Sequence, residues 1–453
     1  MERRESTVMD FNGLISDEFQ ADLKKASDLI HENEQVRLLC HYDGDGTSAA
    51  IILTNALKRL GIKFHLSFVK ALDGPSFNAL IDHESSLIII SDAGSDQLRF
   101  LDRTDNIIVL DHHFYSDSGT KALNINVRKY GIDGTRDACG ATMAFMMALE
   151  LDGNNADLFP FLMSGILADR QDLGGLTGLN RSLKDLFVSR YRENHTLNLE
   201  GDSIINALVY STDPFYKGIT GNQENSSLLL KELNIDPAKK PADLSENEKR
   251  ILGKRLAKAL ISQEVGIEAL KTMEADVLNF PGMDFNSKEL SSIIDGNTRL
   301  DSNGVVMQYF LGDKSVRAEM LDNWKIFKTR LIDYCYRSAN QLYSLSHVNY
   351  FYAPESEMAG SIAGTLMLYL APQNKPLVGF NVSTENTHVS SRGTRRMIQK
   401  GLNLSTVMKN ASEEVGGSGG GHDIAAGAVI PKGKEKVFIE AVNRILKETW
   451  GGF

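Results

Sequence analysis

The chain has 453 residues and a formal charge of −10, from 49 Lys and Arg against 59 Asp and Glu. That length exceeds one ordinary core and implies two or three domains, and the 42% hydrophobic content is that of a globular protein. The acidity excludes a protein that coats duplex by charge alone, so nucleic-acid contact would need a local basic groove or bound cations.

In chain order, apolar runs predict strands at Val36–Cys40, Phe64–Val69, Leu87–Ser91 and Ile107–Leu110. Helical periodicity is expected over Thr47–Leu60, Ala141–Leu151 and Leu158–Asp169. Alternating strands and helices with nearly continuous apolar strands imply a parallel sheet covered on both faces. Residues 1–195 are therefore expected to form an α/β domain, followed by a mainly helical insertion or linker over 196–345. In that region Ser245 and Glu248 have capping-box spacing. A long helix is expected from Asp322 to about Ser344, with Trp324, Phe327, Leu331 and Tyr334 as a packing stripe. Residues 346–453 return to a smaller α/β pattern. Its expected strands are Tyr350–Tyr352, Leu377–Val382 and His388–Ser391, and its expected helices are Met358–Leu370, Leu404–Glu414 and Glu435–Thr449. The leading MERREST has no apolar h-region, so no signal peptide is expected, and no apolar run approaches the ~20 residues that span a bilayer. Cys40, Cys139 and Cys335 are scattered and odd in number, which fits a reducing, cytoplasmic setting and structural roles.

The expected strands share one peculiarity. The first ends in His41-Tyr-Asp43-Gly-Asp45-Gly, the third in Asp92-Ala-Gly, and the fourth in Asp111-His112-His113. The apolar helix Phe161–Leu167 ends in Ala168-Asp169-Arg170. If extended backbone continues past Cys40, His41, Asp43 and Asp45 project to one side. Parallel α/β sheets bind ligands beyond the carboxyl ends of their strands. So many carboxylates at one place would repel one another unless cations neutralised them. Carboxylate and imidazole ligands suit Mn²⁺, Fe²⁺, Zn²⁺ or Mg²⁺, and the carboxylate majority leans to Mn²⁺ or Mg²⁺. There are ligands enough for two ions, a pairing suited to phosphoryl transfer. Gln171 and Asp172 are close enough to Asp169 to support it or to end its helix, and His388 has no assigned role.

The segments H-Y-D-G-D-G, S-D-A-G, L-D-H-H and L-A-D-R, in this order, resemble the DHH phosphoesterase superfamily. The run G-G-S-G-G-G-H-D-I-A-A-G, Gly416–Gly427, resembles the glycine-rich signature of the DHH-associated C-terminal domain. The resemblance implies an active site in the cleft between the two domains. It implies one metal held by His41, Asp43 and Asp92 and another held by Asp45, Asp92, His112 and Asp169, with Asp92 bridging. His113 would face the scissile phosphate or its leaving oxygen, and Asp111 would orient an imidazole. Mn²⁺ is the expected ion, with Mg²⁺ possible.

Pyrophosphatases of the superfamily lack the glycine-rich tail, and bacterial RecJ exonucleases are longer, with an added OB-fold. Gly165–Asn180 and Val389–Thr394 resemble archaeal RecJ-like proteins, which include a nuclease that associates with the replication factor GINS. The resemblance implies a metal-dependent exonuclease on single-stranded DNA or RNA, acting in replication or repair, with GINS or a replicative helicase complex as partner and no membrane. The alternatives are an oligoribonuclease or 3′-phosphoadenosine-type phosphatase, and a non-catalytic helicase subunit. Gly419, Gly420, Gly421 and His422 are candidates for binding phosphate, because successive glycines let backbone N–H groups approach an anion. Arg392 belongs to the matched Ser-Arg-Gly-Thr motif. Arg395, Arg396, Lys400 and Lys409 share an acid-free stretch with it, suited to a single-stranded backbone or simply to solvent.

Overall fold

The computed structural model describes Phe11 and residues 13–70, 87–95, 98, 101, 106–115, 120–354 and 358–450. The chain divides into two compact units, Met1–Asn194 with Val277–Trp324, and His195–Asp276 with Lys325–Phe453. The middle region is therefore shared: residues 277–324 pack with the first unit.

The first unit is built on five parallel strands: β1 (Gln35–His41), β2 (Lys63–Val69), β3 (Leu87–Ser91), β4 (Ile107–Asp111) and β5 (Leu123–Asn126). Their spatial order is β2-β1-β3-β4-β5. β3 and β4 are buried along their whole length, as covered parallel strands must be. The order reverses between β1 and β3, which is where an open α/β sheet leaves a crevice at its carboxyl edge. The three polar strand ends at His41, Asp92 and Asp111 belong to three neighbouring strands, so the topology alone gathers them. Helices α1 (Asp17–His31), α2 (Gly44–Leu60) and α3 (Gly140–Leu151) pack on the sheet, α4 (Phe159–Ala168) packs on α2 and α3, and α3 is buried on every side. From the middle region come α5 (Ser287–Thr298) and α6 (Asn303–Phe310), with α5 packed against α4 and α2.

The first strand runs one residue beyond its expected end at Cys40, but the extended backbone does not continue through Asp45. β1 stops at His41, and α2 begins at Gly44 with Asp43 as its N-cap, its side chain accepting from Gly46 N–H at 3.0 Å. Asp45 thus sits in a first helical turn instead of extended backbone. The local reason is capping: an Asp followed by small residues starts a helix more readily than it extends a strand. A Cβ at Gly46 would lie 2.3 Å from the His41 carbonyl oxygen, so this entry is tight.

The second unit carries a sheet of β6 (Tyr343–Ser344), β7 (Asn349–Tyr352), β8 (Leu377–Val382), β9 (Asn386–Arg392), β10 (Ser418–Gly421) and β11 (Ala425–Pro431), in the order β10-β11-β9-β8-β7-β6. Only β7 and β8 run parallel; the other neighbours are antiparallel. Helices α7 (Leu404–Glu414) and α8 (Glu435–Thr449) pack with it. The long helix runs Arg317–Asn340 and buries Trp324, Phe327 and Leu331. It ends earlier than its periodicity suggests, because Tyr343–Ser344 pair with Asn349–Tyr350 as an edge strand. Among the described residues no helix is long and apolar enough to cross a membrane.

Gly46→Ala is expected to destabilise the first unit by about 2–3 kcal/mol, since backbone and not a movable side chain fills the space. Urea unfolding checks this; an unchanged midpoint would mean that the helix start slides to make room.

Candidate metal centre

Asp92 stands at the middle of the crevice. It follows β3 with φ 60°, a left-handed conformation uncommon for a residue with a Cβ. Its backbone N–H donates to Leu110 O at 2.9 Å, and its side chain is almost fully buried. One carboxylate oxygen, Oδ2, lies 3.6 Å from His41 Nδ1; the other, Oδ1, lies 3.2 Å from His112 Nε2. The two oxygens therefore face two different imidazoles. Gly140 permits this, for a Cβ there would come within 2.4 Å of the Asp92 Cβ.

The remaining acids fall on either side. His41 Nδ1 is 3.1 Å from Asp43 Oδ2, and His41, Asp43 and Asp92 form one group whose donor atoms lie within 4.8 Å of one another. Asp45, His112 and Asp169 form a second such group. The resemblance assigned His41, Asp43 and Asp92 to one ion and Asp45, Asp92, His112 and Asp169 to the other; the fold gathers all six residues, with Asp92 beside both His41 and His112. A third grouping, Asp92, Asp111, His112 and His113, meets the same distance criterion.

Each outer member is held by an anchor. Asp45 accepts from Gly140 N–H at 2.7 Å, Ala141 N–H at 2.9 Å and Cys139 Sγ at 3.1 Å, all at the N-terminus of α3, where a negative charge is favoured. His112 Nδ1 is 2.5 Å from Gly134 O, which fixes the tautomer that turns a lone pair on Nε2 inward. Asp169 accepts from Gln171 Nε2 at 2.8 Å, and Gln171 accepts in turn from Asn180. Asp111 accepts from Ser95 N–H, His112 N–H, His113 N–H and His113 Nδ1, so the imidazole it orients is that of His113. The His113 side chain is 51% exposed, the most accessible of the cluster's imidazoles.

The electrostatics of the cluster call for a cation. Burial would lower the His41 pKa, yet Asp43 and Asp92 raise it well above the ordinary value. His112 is likewise raised against burial by Asp92, Asp169 and Asp45. Burial and then Asp92 and Asp169 push Asp45 up, and burial brings Asp169 up to about 6. Asp43 is held low, against the upward pull of burial, by His41, the Gly46 N–H and Arg299. His41 Nδ1 and Asp92 Oδ1 are buried and make no well-formed hydrogen bond; their near neighbours are members of the same cluster, Asp43 Oδ2 at 3.1 Å and His112 Nε2 at 3.2 Å. Buried inward-facing donor atoms crowded among carboxylates fit a divalent cation. The donor set is oxygen-rich with imidazole, suited to Mn²⁺ or Mg²⁺.

The expected substrate-binding residues all lie in the second unit. Arg392 ends β9 opposite Ala425, Gly421 pairs with Ala426, and His422 begins the turn to β11 with its N–H donating to Ala425 O. Arg392, Gly421 and His422 therefore share one end of the sheet. The glycines form a strand and not an open loop. A Cβ on Gly419 would meet Met408 O at 2.7 Å, and one on Gly421 would meet the Ala426 Cα at 2.7 Å, while Gly420 has open space. Sequence reasoning missed Gly140, Cys139, Gly134 and Asn180, whose spacing carries no sign of proximity to the acids. It did mark Gln171.

Metal binding is expected to release about one to two protons per chain near pH 7, because the raised imidazoles must deprotonate to coordinate. Apparent Mn²⁺ affinity should accordingly tighten as pH rises from about 6 to 8. Titration calorimetry in buffers of different ionisation enthalpy measures the release; a buffer-independent heat would contradict it.

Residues 35–166 match the DHH family, N-terminal domain, and residues 347–448 match the DHHA1 domain. An uncharacterised protein of Methanocaldococcus jannaschii is 28% identical over 437 residues, covering 93% of this chain and 95% of its own. RecJ from Thermus thermophilus, solved in complex with Mn²⁺, superposes with a TM-score of 0.59 at 17% identity over 94% of this chain. This chain spans 55% of that RecJ. CDC45 from Entamoeba histolytica superposes with a TM-score of 0.60 at 11% identity, over 94% of this chain and 98% of CDC45. At these identities the two structures share a fold with this chain. Two matched domains and a fold of this kind lead to one assignment: the chain carries a DHH family N-terminal domain over residues 35–166 and a DHHA1 domain over residues 347–448, in a RecJ-like fold.

Proposed function

We propose that the chain is a two-metal phosphodiesterase that removes nucleotides from an end of single-stranded DNA or RNA. The observation that carries this reading is Asp92, whose two carboxylate oxygens face His41 on one side and His112 on the other. His41 and Asp43 would hold one ion, Asp45, His112 and Asp169 the other, and Asp92 would bridge. Mn²⁺ is the first choice and Mg²⁺ the second; the Thermus RecJ was solved with each. When bound, such a pair supplies a water of lowered pKa and offsets charge on the phosphate.

The chain's own residues do the rest. Asp111 fixes the His113 ring through Nδ1, which leaves Nε2 to face the reacting phosphate or to protonate the leaving oxygen. The His113 pKa is raised, burial opposing and Asp111 favouring the charged form, as suits a proton donor. Arg392, Gly420, Gly421 and His422, at one end of the second sheet, would hold strand phosphates, with Gly419 letting α7 pack beneath them. In this reading residues 1–195 are catalytic, 346–453 bind the strand, and 196–345 link them. GINS or a replicative helicase complex is the proposed partner. Three free, buried cysteines suit the cytoplasm.

The test is digestion of 5′- and 3′-labelled single-stranded DNA and RNA with Mn²⁺ or Mg²⁺. Hydrolysis that loses at least about 10³-fold in Asp92→Asn supports the reading, and unimpaired hydrolysis in that variant sinks it. His113→Gln should lower kcat about 10²- to 10⁴-fold with little change in KM. Activity that fades beyond a few nucleotides of length would point instead to a hydrolase of short oligonucleotides, and co-purification with GINS without any cleavage to a non-catalytic subunit.

A further inference from the structure

The middle segment 287–303 is braced against the metal loop. Ser291 Oγ donates to Ser164 O at 3.0 Å, and Lys288 Nζ pairs with Asp172 Oδ2 at 2.9 Å, just beyond Asp169. Asn303 Nδ2 donates to Tyr42 O at 2.7 Å and to Thr47 Oγ1 at 2.8 Å, spanning the turn that carries Asp43 and Asp45. Asp295 lies against that turn too: a Cβ on Gly44 would be 3.5 Å from its Oδ1. The same Oδ1 accepts from Arg299 Nε at 3.2 Å.

Arg299 is thus delivered to the Asp43 side of the cluster by a carboxylate of its own helix. The Asp295 bond uses Nε, and the two Nη groups have no hydrogen-bond partner among the described residues. The Arg299 side chain is 25% exposed beside Asp43 at 33%, so both reach the accessible side of the site, unlike Asp92 at 1%. Its charge acts on Asp43, where it helps to hold that carboxyl low. A guanidinium fixed through Nε, with its Nη groups left without a hydrogen bond beside a candidate cation site, is an arrangement that can receive a phosphate bidentately.

We infer that Arg299 is a substrate-phosphate ligand, oriented by Asp295, that binds the strand beside the scissile phosphate on the His41–Asp43 side. The inference rests on the phosphodiesterase reading above. It makes the middle segment part of the site and not only a spacer. A purely structural role for Arg299, neutralising Asp43 or closing the end of α5, is the competing account, and the two differ in what salt does.

The experiment compares the full-length wild-type chain with Arg299→Gln and Arg299→Lys on the single-stranded oligonucleotide that wild type cleaves. Loss of a charged hydrogen-bond pair to phosphate should lower kcat/KM about 10- to 100-fold in Arg299→Gln. The slope of log kcat/KM against log salt should flatten by about 0.7, the increment for one phosphate contact on a single strand. Arg299→Lys should keep the slope and recover part of the rate with Mn²⁺ affinity near wild type, while Arg299→Gln, which removes a positive charge beside Asp43, should bind Mn²⁺ no more weakly than wild type. An unchanged slope in Arg299→Gln overturns the inference, as does a loss fully restored by saturating Mn²⁺. Should wild type cleave no single strand, the phosphodiesterase reading fails on its own. The Arg299 contact is then decided by anisotropy titration of a fluorescent single-stranded oligonucleotide, where an equal salt slope in wild type and Arg299→Gln overturns it.

Discussion

The first unit depends on keeping four carboxylates within one small, largely buried volume. Asp43, Asp45, Asp92 and Asp169 would drive each other apart in a low-dielectric crevice without opposing charge. The chain meets part of that demand itself. The N-terminus of α3 gives Asp45 two backbone donors, and two histidines are raised in pKa by the acids beside them. The rest is left to a ligand of opposite charge, and the buried, inward-facing His41 Nδ1 and Asp92 Oδ1 mark where it fits.

Anchoring follows a single pattern. Asp43, Asp45, His112, Asp169 and His113 each have a hydrogen bond to a group outside the candidate ligand set. The exceptions are His41 and Asp92, whose position comes from backbone: the last residue of β1 for one, a left-handed residue after β3 for the other. Outer side chains anchored in this way around a central Asp92 keep the cluster in shape before any ion arrives. Close packing makes this possible. Gly44, Gly140 and Gly165 stand where a Cβ would run into Ala168, Asp92 and Ala141, so the elements carrying the acids approach more nearly than side chains ordinarily allow.

The second unit solves a different problem. Its glycine-rich segment is an edge strand whose residues are small because α7 and β11 lie against it, and the turn beyond that strand sets His422 at the same sheet end as Arg392. Glycine there serves packing first, and any role in holding phosphate is added to a segment already constrained by its neighbours.

Much of this was legible in the sequence. Buried parallel strands are apolar along their length, so the abrupt change to acid or histidine at His41, Asp92 and Asp111 marks their carboxyl ends, and Asp169 marks a helix end in the same way. The residue types also determined the kind of ion that the cluster suits. The start of α2 was misread because an Asp-Gly-Asp-Gly run satisfies both an extended tip and a capped helix; the folded chain takes the second, with Asp43 capping Gly46 and Gly44 and Gly46 fitting beside Ala168 and the His41 carbonyl. Arg299 and Asn303 were invisible, since some 250 residues separate them from the loop they brace and no local pattern records that approach. The sequence by itself determined which side chains stand at the strand ends. Only the tertiary structure decided how closely they approach and which imidazole each Asp92 oxygen faces, because that depends on the strand order, on the left-handed backbone of Asp92 and on the space that Gly140 leaves beside it.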